Sequence, residues 1–547
     1  MRPVPPPDVD PARAEAFRRA GLWGRPALAA TLEAHAAEAP SRLAVVDTFG
    51  ARLDYGTLAA AVRAAASWFA GRGVRPGDAV AVALPNCADY VVAHLALSRL
   101  GAATVLLSAR EGVRDIAHAV AETDAVLLLL ADTPRLAPAH ADRALAHRAV
   151  RVTPGGASGW PGWSALAAAE VTERRLQPVG TTEGAFQPHL PGDEDVELVV
   201  FSSGTTGRPK GIAHTYRGAL ASLYGWCTTL GLTWRDVVFC PATFGHVGGA
   251  QWGLRTAVTV GAPLVLMDRW DAAQAARLIG EHGCTYTLVT ATYVLDLMAL
   301  PESLRALTRG FRLWAVGGSR MSPTLAGDAE RLLGGRLLRG FGMSECFMVT
   351  ITRPDDPDDA RSVCDGRALP GCELAVWGDD DRPLPPGTPG ELVVRGPSQV
   401  GGYFTDPEES ARTFVGGWQR TGDVAVLDER GFLSVVDRRK EIIIRGGENI
   451  SPQELEHVLR ELGGLPPLAV VSVPDERLGE RVALLYEGPP GAVTLDDLHR
   501  MLADRGLARY KWPELVAATD ELPRTSLGKL QRGQVRRLAA RLLGTFS

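Results

Sequence analysis

The chain has 547 residues, too many for one hydrophobic core, so several packed units are expected. Its 58 basic and 63 acidic side chains leave a net charge of −5, which excludes the basic field that nucleic-acid binding needs. Hydrophobic residues make up 46% of the chain, yet the longest strongly apolar run, Val126-Leu127-Leu128-Leu129-Leu130, falls far short of the ~20 residues that span a bilayer. The first residues, Met1-Arg2-Pro3-Val4-Pro5-Pro6-Pro7, lack the apolar segment of a signal peptide, and a cytoplasmic location is expected. Seven scattered cysteines without a Cys-x-x-Cys pair predict neither a disulfide framework nor a zinc site.

In chain order, the spacing predicts Ala-rich helices over 28–39 and 55–72, a buried strand over 79–84, a helix over 88–100 and a strand over 103–107. That alternation implies a parallel sheet covered by helices. The Gly/Pro/Trp stretch 154–161 reads as a surface excursion before a further apolar strand, Leu198-Val199-Val200-Phe201. A second strand-and-helix alternation occupies 236–339. Short strands between Gly/Pro turns from 371 to 436 predict a small β-rich unit. The charged knot Asp437-Arg438-Arg439-Lys440-Glu441 reads as a domain boundary, followed by a helix with Leu455, Val458 and Leu459 on one face and a strand over 468–473.

Directly after the apolar strand comes Ser202-Ser203-Gly204-Thr205-Thr206-Gly207-Arg208-Pro209-Lys210-Gly211. Glycines let backbone N–H groups approach a polyanion, the hydroxyls donate further bonds, and Lys210 adds a point charge, so the loop is expected to bind phosphate. No Gly-Lys-Ser/Thr opens a helix after it, which separates it from a Walker loop. With the histidines dispersed, a metal is expected as Mg²⁺ carried on a nucleotide.

This string resembles the phosphate loop of the adenylate-forming superfamily, which holds acyl- and aryl-CoA ligases, luciferases and peptide-synthetase adenylation domains. Further loops fit the same family in the same order. Phe341-Gly342-Met343-Ser344-Glu345 resembles an aromatic-Gly-x-Thr-Glu signature, which implies adenine stacking by Phe341 and Mg²⁺ binding by Glu345, with Ser344 in place of the usual Thr. Thr206 is implied as a second metal and phosphate contact. Gly317, Gly318 and Ser319 resemble the loop along the adenine edge, Asp423 the ribose ligand, and Arg438 a further nucleotide contact. Lys529, in Pro-Arg-Thr-x-x-Gly-Lys, resembles the catalytic lysine of a mobile C-terminal domain, with Lys440 as its hinge.

The resemblance implies an α/β fold. Residues 1–437 form a large domain of two helix-covered sheets and a small β-barrel-like subdomain, cut at roughly 1–195, 196–370 and 371–437, and 438–547 form a small mobile α+β lid. It implies ATP-dependent activation of an aryl, cyclic or medium-chain acid, followed by thioester formation with coenzyme A. His246, Val247, Gly317, Met343 and Cys346 are the pocket candidates, with His246 bordering the acyl carboxylate. Gly446, Gly447, Glu448, Arg509 and Lys511 are the candidates for the coenzyme A path. A carrier protein, or nitrite with an arylamine, stays open as the acceptor, and a non-catalytic nucleotide-binding regulator is the reading from another class.

Overall fold

The computed structural model describes residues 8–155, 161–166, 192–202, 209–318, 321–322, 324–438, 442–462, 464–524 and 530–545. Strand Ala79–Leu84 is buried along its whole length, as an uninterrupted apolar run must be when helices cover both faces of a sheet. It lies inside a six-stranded sheet ordered Ala149–Val152, Leu127–Ala131, Ala79–Leu84, Ala103–Ser108, Val196–Ser202, Lys210–Thr215. All neighbours run parallel except the last pair.

The seven-stranded sheet repeats this plan in the order Arg336–Arg339, Leu313–Val316, Tyr286–Val289, Val238–Cys240, Leu264–Leu266, Leu43–Val46, Arg52–Asp54. Again only the last pair is antiparallel. Chain order and sheet membership therefore do not coincide: strands 43–46 and 52–54 join the second sheet, while 196–202 closes the first, across the expected cut at 195. Short apolar strands carry no label of their partner, and packing decides it.

Helix Ala88–Leu100 is buried nearly all round and stops at Gly101, whose φ of 71° lets its N–H reach the Leu97 and Ser98 carbonyls. Around this helix sits a polar network sealed from water. Arg255 and Glu197 are 0% and 1% exposed, with Nη2 and Oε2 2.6 Å apart. The other guanidinium nitrogen lies 3.2 Å from His94 Nε2, and His94 Nδ1 lies 2.9 Å from Thr104 Oγ1. Since arginine can only donate, Nε2 accepts and Nδ1 carries the proton to Thr104. Burial, then Arg255, push the His94 pKa well down, consistent with that neutral ring. Four pieces of the fold, the helix, strand Ala103–Ser108, the strand leading to Ser202 and the helical segment Ala250–Arg255, are tied by this one network.

Beyond residue 370 a five-stranded antiparallel sheet forms the expected small half-barrel unit. Glu373–Trp377, Gly390–Arg395, Trp418–Leu427 and Phe414–Val415 follow in order, and Leu433–Arg438 also pairs with Trp418–Leu427. The last sheet runs Glu448–Ile450, Ile443–Arg445, Gly479–Glu487, Leu468–Asp475, with Leu515–Thr519 parallel to Gly479–Glu487. Helix Pro452–Leu462 covers it with Leu455, Val458 and Leu459 at 1%, 0% and 0% exposure, the face that their spacing predicts. Among the described residues no helix is long and apolar enough to cross a membrane.

Removing one partner of a sealed ion pair strands the other charge. Glu197→Gln is therefore expected to lower stability by about 3–5 kcal/mol, read from the shift of the denaturant midpoint, and a loss under about 1 kcal/mol would contradict that account.

Candidate functional site

Strands Val196–Ser202 and Lys210–Thr215 are neighbours with Ser202 opposite Lys210, so the Gly/Ser/Thr loop joins the ends of two adjacent strands. Ser203, Gly204, Thr205, Thr206 and Gly207 lie outside the described residues, as do Ser319, Lys440 and Lys529. Behind the loop, His118 donates from Nε2 to the Pro209 carbonyl at 3.0 Å and sets its ring edge-on to Phe201. Gly211 is required where it is: a Cβ there would come within 2.4 Å of the Phe404 ring. Lys210 departs from its expected role as a charge offered to phosphate. Its amine is buried, 2.8 Å from Glu409 and 5.0 Å above the Tyr403 ring, because the alternation of its strand turns the side chain inward.

The acidic signature folds as a hairpin, Gly342–Met343 against Phe347–Met348. Gly342 lies so close to the opposing strand that a Cβ would sit 2.4 Å from the Phe347 carbonyl oxygen. Glu345, in the turn, is 6% exposed and accepts a 2.7 Å bond from the Tyr403 hydroxyl. A carboxylate that accepts one bond from a phenol retains further lone pairs, which fits a hard cation such as Mg²⁺. His214 fixes the preceding residue. Its Nε2 donates to the Ser344 carbonyl at 2.7 Å while its ring stacks on Phe347 at 3.9 Å.

Phe341 is not an open platform for adenine: its ring packs with Val349, Leu392 and Val394 in the core of the antiparallel sheet. Asp423 is 2% exposed, its N–H on Thr421 Oγ1 at 3.1 Å, and its backbone faces Arg438 across the strand pair. Gly317 and Gly318 follow strand Leu313–Val316, Gly318 with a φ of 73°.

A cavity of about 270 Å³ lies between the Ser202 end of the loop, the Ser344 turn and the C-terminal sheet, with Ser202, His246, Trp270, Tyr293, Ser344 and Glu448 in its walls. A hollow of about 330 Å³ beside Pro407 and Phe414 is lined without a charged side chain, so it lacks the groups for this chemistry. Gly245 makes the wall thin, since a Cβ there would be 2.4 Å from the Ser108 nitrogen. His246 caps the short helical turn Val247–Gly249, its Nδ1 accepting from the Gly248 N–H at 3.0 Å. Burial lowers its pKa against the opposing pull of Glu448, so the ring is neutral and Nε2–H is its remaining donor. Trp270 meets Tyr293 edge-to-face at 4.5 Å and donates to Asp296 at 2.8 Å.

The C-terminal sheet supplies the other wall. Gly446 and Gly447, with φ of 58° and 95°, turn the loop against Thr290, whose hydroxyl donates to the Gly446 carbonyl at 3.2 Å. A Cβ on Gly447 would be 2.2 Å from Thr290 Cγ2. Asp296 clasps Arg477 at 2.7 Å. Lys511 reaches the cavity, yet its amine is committed to Glu454 at 2.9 Å and to Asp115 of the large unit at 3.1 Å. Burial opposes its charge, but Asp115 and Glu454 outweigh it and hold the pKa up. Lys511 is thus a tie between units as well as a wall. Burial, then Asp115, push the neighbouring Glu111 carboxyl up to about 8. Arg509 stacks 5.7 Å from the Trp512 ring.

Of the five pocket candidates, His246 alone stands in the cavity wall. Val247 and Cys346 are 6% and 2% exposed and face the core, because hairpin and helix geometry turn alternate residues of each motif inward. Met343 accepts at Sδ from Gln419, and Gly317 packs against Gly340 and Met348. Residues not foreseen are His118, His214, Trp270, Tyr293 and Tyr403. Each acts through a long-range contact that no local pattern signals.

The AMP-binding enzyme pattern matches residues 32–404. The chain belongs to that family. It is 31% identical to the medium-chain fatty-acid–CoA ligase of Escherichia coli K12 over 96% of this chain and 92% of that protein. It is 33% identical to a salicylyl-CoA synthase / salicylate adenylyltransferase of a Streptomyces species, over 96% of this chain and 95% of the relative. Among solved structures, an amide bond synthetase from Marinactinospora thermotolerans superposes with a TM-score of 0.81 at 26% identity, covering 94% of this chain and 99% of the other. The relatives of this AMP-binding enzyme thus include acyl- and aryl-CoA ligases, and an amide synthetase shares the fold.

Burial pushes the His214 pKa down to about 3, from an ordinary value of 6.5. The folded chain then binds fewer protons than the unfolded one between those values, so stability falls as pH drops through that window. His214→Gln, which keeps a donor but does not titrate, is expected to flatten the acid limb of stability against pH; an unchanged slope would contradict the buried neutral ring.

Proposed function

We propose that this AMP-binding enzyme is an ATP-dependent acid–thiol ligase acting on an aryl, cyclic or medium-chain carboxylic acid, with coenzyme A as acceptor. One observation carries the reading: the loop Gly446 to Asn449 enters the same cavity as His246, Ser344 and the Ser202 end of the phosphate loop. A thiol path and an acyl-phosphate centre then share one chamber. The ligase activities of the two relatives support the choice of acid and acceptor.

In the first step a carboxylate oxygen bonds the α-phosphorus, the α–β bridging bond breaks, and pyrophosphate leaves. Charge peaks on the phosphates, where Glu345 would hold a Mg²⁺ ion that supplies countercharge and the amine of Lys529 is assigned to add to it. In the second step the thiolate sulfur bonds the acyl carbon and the carbon–oxygen bond to AMP breaks, its electron pair leaving with the phosphate. The neutral His246 ring offers Nε2–H to the acyl oxygen, and the aromatic wall made by Trp270 and Tyr293 suits an apolar or aromatic acid.

The docked C-terminal unit, with its glycine loop in the cavity, is assigned to the second step. Gly112 provides the means to separate the steps. Its φ of −78° suits any residue at a helix N-cap, yet a Cβ there would come within 1.8 Å of the Gly506 carbonyl oxygen of the docked unit.

Purified protein is expected to release pyrophosphate with MgATP and one of a panel of aryl and medium-chain acids, and to form a thioester on adding coenzyme A. Thioester absent with every acid, while holo-carrier protein, a free amine, or nitrite with an arylamine consumes the adenylate, would move the assignment to that acceptor. Lys529→Ala is expected to raise the barrier of the first step by ~2–4 kcal/mol while sparing thioester formation from supplied acyl-adenylate; equal loss in both would remove its role. Gly112→Ala is expected to leave ATP–pyrophosphate exchange intact and slow thioester formation by about tenfold or more, the effect of displacing groups by an ångström. Equal rates in the variant and the parent would show that this docked face serves another step.

A further inference from the structure

Tyr403 lies outside every motif read from the sequence, yet it touches both halves of the nucleotide site. Its hydroxyl donates to Glu345 Oε1 at 2.7 Å, and both side chains are buried, at 2% and 6% exposure. Its ring lies 5.0 Å beneath the Lys210 amine, whose charge is matched by Glu409 at 2.8 Å. Its backbone bridges to Ile212, the next residues anchor Gly211 through Thr405 Oγ1 at 2.9 Å and the Phe404 N–H at 3.2 Å, and Ser410 Oγ holds the Tyr403 N–H at 2.8 Å. The segment is thus fixed to the strand that leaves the phosphate loop.

The reading of Glu345 as the Mg²⁺ ligand is assumed here. On that basis we propose that Tyr403 is a positioning residue that holds the Glu345 carboxylate in register with the exit of the phosphate loop, so that metal and triphosphate meet a preset geometry. A buried carboxylate beside glycine-rich turns would otherwise have several rotamers, and its hydrogen bond to a rigid phenol selects one. The ring has a second task, since its face receives the Lys210 cation and keeps that charge off the metal position.

Tyr403→Phe removes one oxygen and keeps the ring. The half-saturating Mn²⁺ concentration for binding in the presence of ATP, followed by electron paramagnetic resonance, is expected to rise about tenfold or more, the cost usual for losing a partner of a metal ligand. ATP binding without metal should be unchanged. In a Glu345→Gln background the same substitution should have no effect, because the phenol acts only through that carboxylate. An equal Mn²⁺ midpoint in the variant and the parent, an equal rise in both backgrounds, or loss of a cooperative melt in the variant would each overturn the proposal, the last by assigning the phenol to the fold. Parent protein that binds ATP with no metal dependence would instead overturn the role of Glu345 itself.

Discussion

The buried contact between Arg255 and Glu197 is the constraint from which the site follows. A guanidinium and a carboxylate at 0% and 1% exposure can stay ionised only as a pair, so strand Val196–Ser202 must meet the helical segment Ala250–Arg255 in one register. One residue of slip would turn Glu197 to the opposite face and bury it against apolar side chains. Holding the strand holds Ser202 and the start of the phosphate loop. The same helical segment follows Val247–Gly249, so His246 is fixed by the other end of the tie. The loop and the cavity histidine thus share one anchor, which sits where the two parallel sheets come together.

Glycines do a different job at this site from the one that flexibility suggests. Gly211, Gly245, Gly342 and Gly447 each stand where a Cβ would lie 2.2–2.4 Å from a neighbouring atom. They let backbone and side chains approach closely, so the elements around the cavity are packed at backbone distance. That closeness brings groups from 202, 246, 344 and 448 to one chamber.

Much of this was legible in the sequence, for identifiable reasons. Six-residue apolar runs such as Ala79–Leu84 announce buried parallel strands, and the 3.6-residue spacing of Leu455, Val458 and Leu459 announces the face of helix Pro452–Leu462. Motif order named Ser202 and Ser344 for one site, and both line the cavity. What sequence could not supply was direction within a motif. Met343 and Ser344 are adjacent, yet one leans on Gln419 and the other lines the cavity, because a tight hairpin turns neighbours apart. Lys210 belongs to the phosphate motif but answers Glu409, a partner two hundred residues away that no local rule connects to it. Sheet membership has the same origin: strands 43–46 and 196–202 are both short and apolar, and packing assigns them to different sheets.

Ion pairs and hydrogen bonds join the large unit to the C-terminal sheet. Lys511 bridges Asp115 and Glu454, Arg477 clasps Asp296, and Thr290 and Thr292 donate to the Gly446 and Arg477 carbonyls. Covering such groups costs desolvation that roughly cancels the attraction gained, so an interface of this kind is close to balance. An apolar seam of equal size would instead be stabilised in proportion to its area and would open slowly. Near balance suits the proposed two-step reaction, in which the unit that presents Gly446 and Gly447 for one step would withdraw before another face is presented. The specificity of the docked arrangement comes from matching charge and from the close backbone approach at Gly112.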